Sequence, residues 1–310
     1  MFIIILFNFT NAIRGGFMNQ TSEDFKTQKV NLHQTRSISE TINTSFTFFR
    51  SEFVPLGKNL IYVAGPLIIL SALLNYFFFN DVFGSIMADP SGGTTGLEAI
   101  FSSQYFLLML TQILVTTVIG LIVNFYILDY MEGSGPTSVA RMWQLILNKA
   151  PLYFGYMIVL FILIMLGFMF FLLPGIYLSI ALILFLPAAV QENLPFGKAL
   201  KRSLYLTKNY WWFTLGLILL TGIIIYIIYM IFEIPFMALG VGLGFSSGFQ
   251  VTPDDIGSFY GIYVAFAQLL MLVYSFLFVV ETVHFYSQRE KKEARGLGEQ
   301  IAELDHPSAE

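Results

Sequence analysis

The stretch Ala199–Phe232, ALKRSLYLTKNYWWFTLGLILLTGIIIYIIYMIF, places two lysines and one arginine directly before Trp211 and Trp212 and then about twenty mostly apolar residues, and Lys198 stands just ahead of it. Cations, indoles and hydrocarbon in that order match the layers of a lipid bilayer entered from its cytoplasmic face. Ammonium groups meet anionic headgroups, indoles sit at the interface with the N–H wet, and apolar side chains fill the acyl region. Pro195 reads as a first helical residue. The apolar positions Phe196, Ala199, Leu200, Ser203, Leu204 and Thr207 follow i, i+3, i+4, i+7 spacing, with Lys198, Lys201, Arg202, Tyr205 and Lys208 on the other face. Such a helix is expected to lie in the interface plane with its apolar side toward the acyl chains.

The whole chain agrees with a membrane setting. Of its 310 residues 56% are hydrophobic and 12% charged, half the charge of an ordinary soluble domain. The chain has no cysteine, which excludes disulfides, thiolate metal sites, cysteine nucleophiles and S-palmitoylation. Roughly 20 apolar residues cross a hydrocarbon core of about 30 Å. Six runs of that kind occur, near Leu60 to Phe79, Ile100 to Leu128, Pro151 to Leu173, Gly175 to Val190, Tyr210 to Leu239 and Phe259 to Tyr286. The third and fourth are joined through Leu-Leu-Pro174-Gly175, which predicts a tight antiparallel hairpin.

Lys and Arg segregate completely. They occupy the N-terminal segment (Lys26, Lys29, Arg36, Arg50, Lys58), the second-to-third loop (Arg141, Lys149), the fourth-to-fifth loop and the tail (Arg289, Lys291, Lys292, Arg295). The other three connections hold none and carry Asp81, Asp89, Glu98, Asp254 and Asp255. Short basic loops stay on the cytoplasmic side, so both termini are expected there. The opening MFIIILFNF lacks a basic n-region and is too short to span. Arg14-Gly15-Gly16-Phe17-Met18 reads as a translated ribosome-binding site ahead of a start, so Met18 is one candidate initiator and residues 1–17 a mis-assigned extension. Residues 1–35 are expected to form a disordered N-terminal segment, 36–290 the membrane domain and 291–310 a tail.

The construction of the opening stretch recurs. Before the third span Val139, Met142, Trp143, Ile146, Leu147 and Ala150 make a stripe opposite Arg141, Gln144, Asn148 and Lys149, and a shift of 59 residues superposes Ala140 on Ala199 and Lys149 on Lys208. Before the first span Ser37 and Glu40 make an S-x-x-E capping box, followed by Ile38, Ile42, Phe46, Phe49 and Phe53 on one face, with Pro55 and Gly57 expected to end the helix. The fold expectation is an all-α transmembrane six-span bundle with interfacial amphipathic helices, further divisible into three helix-plus-hairpin units.

Few residues carry chemistry. Glu233 is the only acid well inside a span; it reads either as part of a proton or substrate path or as a carboxylate near the outer interface that reaches water beside a break at Pro235. Glu281 and His284 form a Glu-x-x-His pair of the kind used in di-metal bundles, but the chain lacks a second such pair, and a juxtamembrane pair facing the cytoplasmic surface is expected. Thr252-Pro253-Asp254-Asp255 fits a helix start. Asn75, Gln112, Asn124, Gln268 and Ser275 fit interhelical hydrogen bonding. The loop Pro90–Gly96 lacks the lysine of a phosphate-binding loop. Three histidines, at 33, 284 and 306, give no triad or zinc cluster, so no catalytic residue, metal or cofactor is expected.

Leu172–Leu220 resembles the membrane-domain family found alone in many bacteria and fused ahead of the catalytic barrel in some glycerophosphoryl diester phosphodiesterases. The likeness rests on Pro174-Gly175, Pro187, Glu192, the Ala199-Leu200-x-x-Ser203 helix and Trp211-Trp212, and the six-span plan extends it over about residues 35 to 290. The resemblance implies a multi-pass protein of the bacterial inner membrane without assigned activity. The residues after the sixth span are too few for the barrel, so hydrolase activity is not carried over. The functional expectation is a non-catalytic module that engages membrane lipid, a membrane protein partner or a second copy of itself, and no nucleic acid. Lys198, Lys201, Arg202, Lys208, Trp143, Trp211 and Trp212 would face lipid headgroups. A small-solute or lipid transporter using Glu233, and an intramembrane enzyme, are the other two classes.

Overall fold

The computed structural model describes residues 30–88, 102–133, 136–246 and 253–294, with side chains left out at 83–88, 239–246 and 253–257. The 14–18 start region, the 90–96 loop, Thr252 and the tail beyond 294 lie outside the described residues. The chain divides into a unit Met1–Leu32, of which only residues 30–32 are described, and a unit His33–Glu310 that carries every described helix. The latter is all α among the described residues: α1 (Ile38–Ser51), α2 (Phe53–Asn59), a π-helical turn (Leu60–Ala64), α3 (Gly65–Ala88), α4 (Ser103–Met131), α5 (Val139–Phe170), α6 (Leu172–Ala181), α7 (Phe185–Gln191), α8 (Phe196–Thr207), α9 (Trp211–Ser246), α10 (Pro253–Leu269), a 3-10 turn (Leu270–Val273) and α11 (Tyr274–Glu293). Six helical segments are long and apolar enough to cross a membrane: Phe53–Val82, Ser103–Met131, Val139–Phe170, Leu172–Gln191, Trp211–Ala238 and Ser258–Glu293. This is a multi-pass membrane protein.

α1 begins with the capping box read from the sequence. Glu40 N–H donates to Ser37 Oγ at 3.3 Å, and Ser37 N–H donates to Glu40 Oε2 at 2.8 Å. These bonds, first the backbone N–H and then the hydroxyl of Ser37, hold the Glu40 carboxyl below its ordinary value of 4.5. A depressed carboxyl stabilises the helix start fully above that ordinary value and loses the contribution as pH falls through the lower one. Protection of the Ser37 amide from hydrogen exchange is therefore expected to drop selectively on acidification, and that of the Glu40 amide to be low at every pH in Ser37→Ala.

The face that α1 buries differs from the predicted stripe. Thr41, Ile42, Ser45 and Phe48 are buried, whereas Phe46 and Phe53 are exposed. Two small hydroxyls are tolerated inside because each bonds its own helix, Thr41 Oγ1 to Ser37 O and Ser45 Oγ to Thr41 O. Ile42 then joins Leu217, Ile225, Phe276 and Val280 in a cluster shared with α9 and α11. The break after α1 comes at Glu52, earlier than the predicted Pro55–Gly57. Pro55 falls in the first turn of α2, where its missing N–H costs nothing, and the helix continues through Gly57 into the π-helical turn. Glu52 is fixed by Tyr126 of α4, whose hydroxyl donates to Oε2 at 2.5 Å.

The third-to-fourth connection is tighter than its Pro-Gly motif suggests. Only Phe171 stands between α5 and α6, in an extended conformation, and Pro174 and Gly175 belong to the first turns of α6. The hairpin closes because Gly167 and Gly175 face one another: a Cβ at Gly167 would lie 3.1 Å from the Gly175 Cα, and one at Gly175 would lie 2.4 Å from Phe168 Cγ. Its other end is joined by Tyr153 Oη donating to Ala189 O at 3.3 Å.

The expected three-unit repeat is present in two places and absent in the third. α1 and α8 are separate helices, but the segment before the third span runs unbroken into it, so that α5 has 32 residues with Pro151 inside. The 59-residue shift identifies the cause. α8 is separated from α9 by Asn209, which adopts φ 72°, and the residue aligned with Asn209 is Ala150. Asparagine tolerates the left-handed region and alanine resists it, so one chain turns where the other continues. Pro235 likewise lies inside α9, which continues past it where a break was expected. α10 starts at Pro253, as read from the sequence. It packs on α3, where a Cβ on Gly261 would meet the Tyr76 ring at 2.9 Å and Ser71 Oγ donates to Gln268 Oε1 at 3.3 Å.

Candidate functional site

α8 has one side against the bundle and one side open. Ala199, Ser203, Leu206 and Thr207 are buried, and Ser203 Oγ donates to Ala181 O of α6 at 2.9 Å. The predicted apolar stripe is thus turned toward protein, and Leu204, assigned to it, is exposed. Lys198, Lys201 and Lys208 are exposed. Lys198 and Lys201 stand one turn apart on an open groove of about 420 Å³ whose other walls are Glu192, Leu194, Arg202 and Tyr205.

Arg202 does something the sequence reading did not anticipate. Its Nη2 donates to Glu192 Oε1 at 2.7 Å and its Nη1 to Glu293 Oε1, so one guanidinium joins the end of α7 to the last turn of α11. Burial opposes its charge, but the bonds to Glu293 and Glu192 outweigh burial and hold it above the ordinary guanidinium value. Glu192 also lies 3.9 Å from Arg289, whose guanidinium sits 4.7 Å above the Tyr286 ring. Lys292 adds a second tie: its ammonium donates to the Tyr205 and Lys208 carbonyls at the C-terminus of α8, the negative end of the helix dipole, over the Tyr205 ring at 4.5 Å. Lys291 donates to Arg36 O at 3.0 Å and covers the Phe213 ring at 4.5 Å. Lys291, Lys292 and Glu293, at the start of the expected tail, are therefore part of the packing. Alternating signs at 289–293 were the available signal, and they read equally well as a solvated surface.

The indoles complete this end of the bundle. Trp211 stacks on Tyr177 at 5.9 Å and donates to the Tyr177 carbonyl at 3.2 Å, while Trp212 is 79% exposed. Trp143 is half-buried on the first turns of α5. Glu233 is half-buried far along α9 and accepts from Tyr263 Oη at 3.2 Å.

Residues 154–301 match the model of the membrane domain of glycerophosphoryl diester phosphodiesterase. The first two spans fall outside the match, which is narrower than the extent expected from the six-span plan. No curated protein and no solved structure matches the chain. The stretch that resembles this membrane domain contains the α5–α6 hairpin, the groove and the Glu192–Arg202–Glu293 bridge.

It also contains a buried polar core around α11. Phe278–Arg289 is buried throughout, including Glu281 and His284, so the pair expected to face the cytoplasmic surface is inside the protein. The cause is that α11 is wrapped by α1, α4, α8 and α9. Thr214 Oγ1 lies 3.0 Å from His284 Nε2 and itself donates to Tyr210 O, while Phe213 stacks on the imidazole at 5.5 Å. A neighbouring network runs from Tyr286 Oη to Gln191 Oε1 at 2.7 Å, from Gln191 Nε2 to Asn124 O at 2.8 Å, and from Thr282 Oγ1 to Asn124 Oδ1 at 3.1 Å. Gln112 and Gln268 also bond between helices, to Met271 Sδ and Ser71, but Asn75 and Ser275 bond their own helices. Among the described residues no group of three or more His, Asp or Glu is placed to hold a metal, and Glu192 points to Arg202 rather than to Glu281 and His284.

Proposed function

We propose that the protein is a non-catalytic module of the bacterial inner membrane that holds anionic phospholipid at its cytoplasmic face, with α8 lying along the headgroup layer. The observation that carries this reading is the pairing of Lys198 and Lys201, exposed and without a hydrogen-bond or ion-pair partner among the described residues, over an open groove. An ammonium near an anionic surface contributes about 1 kcal/mol. The basic connections support the orientation, since Lys291 donates to Arg36 O and Arg202, next to Lys201, is bridged to Glu293, which brings the bases of three of those connections together.

Native mass spectrometry of the gently extracted protein is expected to find phosphatidylglycerol or cardiolipin enriched over zwitterionic lipid. Lys198→Gln with Lys201→Gln should remove about 2 kcal/mol of that preference, roughly a thirtyfold loss of enrichment. An unselective bulk-lipid profile for both proteins would refute the lipid assignment. Reporter fusions after Asp89 and Gly248 should be active only as periplasmic reporters; cytosolic activity there would overturn the orientation.

A further inference from the structure

α8 is both the wall of the groove and the holder of α11's last turn, and the same side chain serves both. Arg202 lines the groove and spends its two terminal nitrogens on Glu192 and Glu293, leaving its buried Nε without a hydrogen-bond partner. Glu192 lines the groove as well. A phosphate seated on Lys198 and Lys201 would bring negative charge against Glu192, and the competent response is for Arg202 to turn to it. Guanidinium meets phosphate through paired N–H bonds. Glu192 has a second cation nearby, Arg289 at 3.9 Å. Glu293 lies in the terminal turn of α11, immediately before Ala294, which is exposed and held at φ 47°, a conformation that alanine adopts only under constraint.

We propose that an anionic phosphate headgroup bound on Lys198 and Lys201 draws Arg202 away from Glu293 and so loosens the end of α11. Membrane charge is thereby passed from α8 to the last turn of α11. The proposal rests on the lipid reading above and adds to it a consequence of binding.

The absence of cysteine makes the test direct, because Ala294→Cys carries the only thiol for a spin label. The full chain is placed in nanodiscs of phosphatidylcholine alone, or with phosphatidylglycerol, at fixed ionic strength; a third arm adds inorganic phosphate to phosphatidylcholine discs. Bound lipid is counted by mass spectrometry on the same samples. Phosphatidylglycerol is expected to convert most of the immobilised spectral component to a mobile one, and Lys198→Gln with Lys201→Gln to abolish the conversion. Glu293→Gln, which keeps the groove, should be mobile in both lipids while still enriching phosphatidylglycerol. Enrichment without a spectral change, or a Glu293→Gln label that still responds to lipid, overturns the latch and leaves the lipid site standing. No enrichment and no spectral change sinks both. The same conversion by inorganic phosphate in phosphatidylcholine discs would overturn the lipid headgroup as the source of the phosphate.

Discussion

Gly167→Leu is expected to open the α5–α6 hairpin and lower the thermal stability of the detergent-solubilised protein more than any other single glycine change within α5. A side chain there meets backbone, with the Gly175 Cα at 3.1 Å and the Gly175 N at 3.3 Å, and backbone cannot step aside as a side-chain tip can. Overpacking of this kind costs about 1–3 kcal/mol, with the backbone neighbour placing it at the upper end. Gly155→Leu is the control in the same helix, because nothing lies within 4 Å of its added Cβ. The measurement is the apparent Tm by size-exclusion after heating. Equal Tm values for the two variants would mean that the glycine contact does not set the hairpin.

Arg202→Met should cost about 2–4 kcal/mol, since it takes the nearest cation from both Glu192 and Glu293, whose side chains are 15% and 21% exposed. The partial exposure keeps the expected loss below that of a fully buried pair. Glu192→Gln and Glu293→Gln added to Arg202→Met should recover most of it, because the neutral amides no longer need a cation. If the triple variant were no more stable than Arg202→Met alone, the loss would come from packing of the aliphatic stem rather than from stranded charge.

The membrane class and the six spans were legible because they rest on averages over twenty residues, and the Ser37 cap and the Pro253 start because each needs only a few neighbouring residues. Rotation and contacts were not. The stripes on α1 and α8 were placed by supposing that apolar residues face acyl chains, yet Thr41, Ser45 and Ser203 go inside because their hydroxyls bond backbone carbonyls. The missing third elbow turned on Ala150 standing where Asn209 stands, a single-residue difference hidden among matches of apolar residues. At the site, Lys198 and Lys201 were readable from spacing, but the bridge from Arg202 to Glu293 spans 91 positions, and no local pattern announces a partner that far along the chain.

The unbroken course of α5 has a mechanical corollary. Thirty-two residues at 1.5 Å make a rod of about 48 Å against a hydrocarbon thickness of about 30 Å, so the helix overshoots the bilayer by several turns. Since α5 runs from its first turns into its span without a break, a thinner membrane is met by leaning of the helix, which swings its first turns, with Arg141 and Trp143, sideways across the surface. The jointed junction at Asn209 lets α8 keep its place while α9 leans. One end of the molecule therefore responds to thickness as a lever, and the other stays level.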